Sequence, residues 1–488
     1  MSGFGGRIGA ALRLPARRIK RIAVVLAVLL LAAVAGVGVG FGVTAVKNKI
    51  EAARALAAIV PPPPPVVLHP ALRPAALDGP APTPAGVGAV LDPLAAAGFG
   101  SLSAQVLDPV TNTVLWQRNP STALVPGSTA KLLTASAALL ALDHQARLRT
   151  TVLAGTEPGS VVLRGGGDPT LSAAGPGTAT GYPGAARLDD LVSQVRAAAH
   201  GPITRVLVDV SRYTGDSLAP GWLSADVAGG YIAPIEPVML DGGRADPAQD
   251  ISPRAAKPAT AAAAELARRL GADSDTVALG SAAPSAMVLG EVFSPPMQDL
   301  IATALTRSDN VLAEVLAREV ARSTGAQPSF SGASQAVLTV LRQHGFDVTG
   351  TTLVDGSGLS TSNAVPATLL TALLGAAAGP DRSNAGQLDN DGFPQPRTAA
   401  LRPLLVGLPV AGGSGTLADR YHGPTLGGRG WVRAKTGTLT GVSSLAGTVL
   451  DAEGRVLVFA LVSNGPNPAT VRPRLDALAV GLRSCGCH

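Results

Sequence analysis

Pro126-Gly127-Ser128-Thr129-Ala130-Lys131-Leu132-Leu133-Thr134-Ala135-Ser136-Ala137-Ala138-Leu139-Leu140 sets the frame for the rest of the chain. Pro-Gly breaks the backbone, and the residues that follow, to Leu142, are almost wholly Ala, Leu, Thr and Ser. A segment apolar on every side predicts a helix buried in the core, over Ser128–Leu142. Lys131 is its one charged side chain. Ser128 and Lys131 stand three positions apart, so they share a helix face. A serine hydroxyl is a weak nucleophile until a base takes its proton, and a neutral amine one turn away is such a base. An ordinary lysine titrates near 10.4, so acting at neutral pH needs a shift of about three units, roughly 4 kcal/mol. Burial and a second nearby ammonium both push in that direction.

Lysine is scarce elsewhere. The chain holds 33 Arg and 6 Lys, and beyond position 49 only Lys131, Lys257 and Lys435 remain. Guanidinium does not shed its proton in a protein, whereas a buried amine does. Lys435 opens Lys435-Thr436-Gly437-Thr438, placed on a strand. There Lys435 and Thr436 are expected to grip a carboxylate, and Gly437 to clear space for a ligand backbone lying flat on the strand. The Thr438 N–H is expected to form an oxyanion hole with that of Ser128. Between the two lies Ser308-Asp309-Asn310, at a break between helices over 296–306 and 311–323. Ser308 is expected to relay a proton from Lys131 to a leaving amine, Asn310 to donate to a substrate carbonyl, and Asp309 to turn away and cap the following helix.

The surrounding pattern gives the architecture. Strands over 102–107 and 114–117 open the body, and strands over 443–450 and 455–463, joined by Asp451-Ala452-Glu453-Gly454, precede a last helix over 468–483. Strands at both ends with helices between predict one α/β sheet built from both termini. Residues 150–290 alternate short β-like runs with Gly/Pro-rich loops, which predicts a smaller β-rich domain inserted between catalytic parts 86–149 and 291–483.

Ser128-x-x-Lys131, Ser308-Asp309-Asn310 and Lys435-Thr436-Gly437, in that order, resemble the motif set of penicillin-binding proteins and class A β-lactamases. Gly165-Gly166-Gly167-Asp168-Pro169-Thr170-Leu171, Asp355-Gly356-Ser357-Gly358-Leu359-Ser360 and Gly415-Thr416-Leu417 narrow the resemblance to the D-alanyl-D-alanine carboxypeptidase/endopeptidase family. These are the low-molecular-mass class C penicillin-binding proteins, which carry a domain between the first two motifs. The resemblance implies the serine β-lactamase-like transpeptidase fold, α+β, with an antiparallel sheet flanked by helices. It implies a serine-type D-Ala-D-Ala carboxypeptidase, with endopeptidase activity possible in principle, that acts on peptidoglycan stem peptides and is acylated by β-lactam antibiotics. Ser128, Lys131 and Ser308 would be catalytic; Asn310, Lys435, Thr436, Gly437 and Thr438 would bind substrate. No metal or organic cofactor enters that chemistry. Ser128 and Ser308 lie 180 positions apart, room for one added domain. The alternatives are a β-lactamase, or a non-catalytic wall-binding protein on the same fold.

Charge and hydropathy place the body outside the cytoplasm. Residues 1–21 carry six basic side chains and no acid, which leaves the remainder neutral and gives nucleic acid no basic field to bind. Ile22–Val46 is uncharged and, as a helix of about 25 residues, spans about 37 Å, enough to cross a hydrocarbon core. The preceding positive charge orients the body outward; the alternative is a secreted chain whose signal is cleaved. A Pro/Ala-rich linker fills 47–85 as a semi-rigid spacer. Cys485 and Cys487 stand in a tail, 484–488, expected to be mobile and to oxidise between chains, if at all.

Overall fold

The hairpin patterns at the two ends of the body come together in one sheet. The first hairpin is β1 (Ser101–Asp108) and β2 (Thr113–Arg118). Next in the chain come β3 (Arg147–Ala154), β4 (Ser160–Arg164), β5 (Arg205–Asp209), β6 (Ala278–Leu279) and β7 (Val288–Pro296). The chain closes with β8 (Val432–Leu439), β9 (Val442–Leu450) and β10 (Val456–Asn464). Sheet order is β2-β1-β10-β9-β8, with every pairing antiparallel. The other five strands form a second, mixed sheet, β6-β5-β4-β3-β7. This computed structural model describes residues 80–380 and 396–487, all within one compact unit, Arg73–His488. Residues 22–46, read above as an anchor, lie outside the described residues, among which no helix is long and apolar enough to cross a membrane.

Alternation along β10 shows how the core is divided. Val458, Ala460 and Val462 face one cluster, with the helices Ala367–Ala378, Lys131–Ala141 and Asn310–Ser323. Leu457, Phe459 and Leu461 face the other, with Pro84–Ala95 and Pro468–Arg483. Side chains on a strand point to opposite faces in turn, so a strand covered on both sides reads as a continuous apolar run.

The second sheet packs Val161, Leu163, Val206 and Val208 against the helices Leu188–Ala198 and Pro258–Leu270. It extends slightly beyond 150–290 at both ends and carries more helix than a β-rich reading of that region implied. Its loops grip the central helix Asn310–Ser323, whose residues from Val311 to Ala321 are all buried. Arg318 donates to the carbonyls of Thr214, Pro328 and Asp216, and its guanidinium lies over the rings of Tyr213 and Phe330. Arg212 pairs with Glu319 through both of its carboxylate oxygens.

The tail departs from expectation. Cys485 and Cys487 are bonded to each other, and both are buried in the cluster under the Pro84–Ala95 helix. The Cys487 carbonyl accepts from Thr83 N at 2.7 Å, beside Gly86, where any Cβ would collide with it. The contact that orders this tail lies some 400 positions away along the chain, beyond the reach of a local sequence pattern.

Removing buried Arg318 takes a donor from the Thr214, Pro328 and Asp216 carbonyls and the cation from over the Tyr213 and Phe330 rings. Arg318→Ala is expected to cost about 3 kcal/mol, read as a lower urea midpoint.

Candidate active site

Ser128 stands in a tight turn, Gly127–Ala130, that leads directly into the helix Lys131–Ala141. That helix is buried from Lys131 to Leu139, as its all-round apolar sequence predicts. Gly127 takes a φ of 54°, a left-handed conformation that only glycine adopts without strain. The reversal presents the Ser128 hydroxyl at the edge of the core, half-buried, with the Lys131 amine beneath it.

Lys131 Nζ lies 3.0 Å from Ser128 Oγ, 2.5 Å from Asn310 Oδ1 and 2.7 Å from the Ser357 carbonyl. The side chain is 1% exposed. Burial pushes its pKa down to about 8, against the pull of Asp355, Glu314 and Asp309, which favour the charged form. Lys435 Nζ donates to Ser308 Oγ at 2.8 Å and to the Thr436 carbonyl at 2.9 Å. Burial, and then the charge of Lys131, push it well below the usual lysine value. Two amines therefore share one dry pocket with two serine hydroxyls.

Ser308 follows the helix Met297–Thr306 with a φ of 57°. Non-glycine residues hold that conformation only where their surroundings enforce it. Here the Ser308 and Asp309 N–H groups close on the Leu305 and Ala304 carbonyls. Asp309 caps the next helix, as expected, through a bond from Leu312 N to Oδ1. Its other oxygen accepts from Tyr182 Oη and Arg244 Nη2, both at 2.8 Å. Burial alone would raise the Asp309 pKa, but Arg244, Arg254 and the Leu312 N–H bring it down to about 2.

One expectation is redrawn, and two residues turn out to have partners inside the protein. Ser308 Oγ accepts from Lys435 Nζ, whereas its expected relay was drawn from Lys131. Asn310 turns its oxygen to Lys131, because an amine donor needs an acceptor, and its Nδ2 donates to the Tyr231 carbonyl at 2.9 Å. Gly437 is also required by packing within the protein. A Cβ there would sit 2.4 Å from the Pro126 carbonyl and 2.1 Å from Ser444 Oγ, so the glycine lets β8 close against the nucleophile turn. That closeness also brings the Ser128 and Thr438 N–H groups to neighbouring positions. Thr436 Oγ1 pairs with Thr416 Oγ1 at 2.7 Å, which adds the Gly415-Thr416-Leu417 turn to the site.

The floor of the pocket is a segment that the sequence offered only as a family marker, with no role at the site. The segment 355–358 lies between the nucleophile turn and the central helix, with no room for a Cβ on Gly356 or Gly358. Asp355 accepts from Trp222 Nε1, Asn363 Nδ2 and the N–H groups of Gly358 and Ser360. Glu314 stands four positions after Asn310, hence on the same helix face, which was the available signal for it.

Comparison with known proteins identifies this arrangement. The D-Ala-D-Ala carboxypeptidase 3 (S13) family matches residues 91–249 and 245–484. The chain belongs to that family. It is 47% identical to Carboxypeptidase DacB of Mycolicibacterium smegmatis over 86% of this chain and 88% of that one. A carboxypeptidase of Mycobacterium tuberculosis is 48% identical over 83% and 85% of the two chains. The fold is that of penicillin binding protein 4 from Haemophilus influenzae, with a TM-score of 0.62 at 22% identity over 81% of this chain and 98% of that one. A second crystal structure of that protein holds a β-lactam. The chain is accordingly a serine-type carboxypeptidase, a hydrolase of the cell wall.

Asp309 binds its proton less readily in the folded protein than in the unfolded chain, so its contribution is present above about pH 4 and is lost as pH falls toward 2. Asp309→Asn is expected to lower stability by about 2 kcal/mol at pH 7, with the gap closing between about pH 4 and 2. Denaturant titrations across that range check it.

Proposed function

We propose that the chain removes the terminal D-alanine from peptidoglycan stem peptides through an acyl-enzyme on Ser128. The observation that carries this reading is the 3.0 Å contact between a buried Lys131 amine and the Ser128 hydroxyl. Lys131 takes the hydroxyl proton while Ser128 Oγ bonds to the carbonyl carbon between the two D-alanines. The carbonyl π electrons move to oxygen, and that oxyanion rests on the Ser128 and Thr438 N–H groups. Collapse expels the D-alanine amine, which takes a proton from Ser308; Lys435 and, in turn, Lys131 restore the Ser308 proton through the paired amines. Water then attacks the ester with Lys131 again as base, releasing the shortened peptide.

The substrate's free carboxylate completes the electrostatics. Next to Lys435, a negative charge favours the ammonium form and reverses the effect of burial. A charged Lys435 in turn keeps Lys131 neutral, so binding the correct terminus arms the base. Thr436, supported by Thr416, gives that carboxylate a hydroxyl donor. A carbonyl of the peptide displaces Tyr231 as partner of Asn310 Nδ2, while the Asn310 oxygen holds Lys131 in place. A β-lactam offers the same amide and carboxylate, so it acylates Ser128 by the same route.

The body works outside the cytoplasm, anchored by the apolar segment 22–46 and carried on the Pro/Ala-rich linker. The Cys485–Cys487 bond supports this placement, because disulfides persist in oxidising compartments. Residues 147–296 act as an inserted domain that holds the Ser308-Asp309-Asn310 turn from outside the catalytic sheet.

Ser128→Ala is expected to abolish labelling by a fluorescent penicillin and release of D-alanine from a D-Ala-D-Ala peptide. Lys131→Arg is expected to slow both by about a thousandfold, because guanidinium cannot take the proton. Lys435→Arg keeps measurable activity, since charge and hydrogen bonding suffice there. Gel fluorescence and mass spectrometry of the products report all three.

A further inference from the structure

Lys131 rests on a carbonyl whose position is set from below. Ser357 O accepts from Lys131 Nζ at 2.7 Å. The N–H of the same residue donates to Glu314 Oε1 at 2.7 Å, and the preceding N–H, of Gly356, donates to Glu314 Oε2 at 3.0 Å. Thr134 Oγ1 holds the Gly356 carbonyl from the nucleophile helix at 2.7 Å. Glu314 is 1% exposed, and Gly356 is pressed against Ala313 and Ala317 of the same helix. A carboxylate that accepts from two successive backbone N–H groups fixes the plane and height of that peptide.

We propose that Glu314 is a positioning residue for the serine–lysine pair. It fixes the Gly356–Ser357 segment on which the Lys131 amine rests, and it supplies a negative charge beneath that amine. The inference depends on Lys131 being the base, as proposed above.

The charges around Glu314 come from every wall of the pocket. Lys131 faces it from the nucleophile helix, Asp355 from the loop, and Arg318 from the next turn of its own helix. Asp309 lies at the head of that helix, and Lys435 stands on the far side of Lys131. Burial first, and then Asp355, raise the Glu314 carboxyl to about 7, while the Ser357 and Gly356 N–H bonds and Arg318 oppose them. Where Glu314 is ionised it favours protonated Lys131. A neutral replacement removes that preference, so the free amine appears at lower pH.

The test is the pH dependence of the second-order rate of acylation by a fluorescent penicillin, measured on the full chain. In Glu314→Gln the acid limb moves to lower pH by about one unit. The plateau falls about tenfold, because the amide turns an NH2 donor toward one of the two N–H groups and the amine loses its seat. Glu314→Asp keeps the charge on a shorter stem, so its limb stays with the wild type while its plateau falls. A limb in Glu314→Gln that does not move, or that moves upward, overturns the proposal whatever the plateau does. Failure of both variants to fold also overturns it, since Glu314 then belongs to the core and not to the reaction. A wild-type chain that is never acylated defeats instead the reading of Ser128 and Lys131 on which this rests.

Discussion

Burying an amine against a hydroxyl is the constraint from which this molecule's chemistry follows. In water a lysine ammonium is protonated at any physiological pH and does nothing for a neighbouring serine. At 1% exposure beside the start of the central helix, Lys131 loses hydration that two carbonyl-type acceptors only partly replace. Its pKa falls to about 8, where a usable share of the amine is free at neutral pH. Lys435 stands in the same dry space and is itself pushed well below the usual lysine value, by burial and then by the charge of Lys131. The nearby carboxylates of Asp355, Glu314 and Asp309 work the other way. The site is a balance between desolvation and residual negative charge.

The fold serves that balance by converging on one helix. Asn310–Ser323 carries Asn310 at its start, Glu314 one turn on, and Arg318 and Glu319 beyond. The first two reach the reacting pair directly or through one peptide. The last two bind Thr214, Asp216 and Arg212, in the segment after the second sheet's β5. Asp309 adds a buried pairing to Arg244 and Tyr182 of the same region. The region between the first two motifs is thus fastened to the helix whose first residue bonds to Lys131. Ion pairs buried this deeply do little for net stability, but breaking one leaves a stranded charge, so they define a single arrangement.

Much of this was written in local pattern. The helix after Ser128 is apolar on all sides and is buried on all sides. The hairpin at Asp451–Gly454 and the final helix at 468–483 follow from turn residues and periodicity. The three motifs stand out because Lys is so rare in a chain full of Arg. What escaped has a common cause: it depends on contacts between distant segments. Nothing near Gly437 says that its missing Cβ makes room for Pro126, and nothing near Cys487 says that Thr83 binds its carbonyl. Which serine each amine holds is likewise decided by how β8 meets two helices. Glu314 was half visible, since its spacing from Asn310 puts it on the right face, but its partners come from a loop more than forty residues later.

Lysine scarcity also makes the central claim measurable. With 6 Lys in the chain, a spectrum of protein carrying 13C at lysine Cε contains few signals to assign. One of them, absent from Lys131→Arg, should titrate near pH 8. A Lys131 signal that titrates above about 10, as in an exposed lysine, would contradict the account, because the amine beside Ser128 would then be an ammonium when the enzyme works.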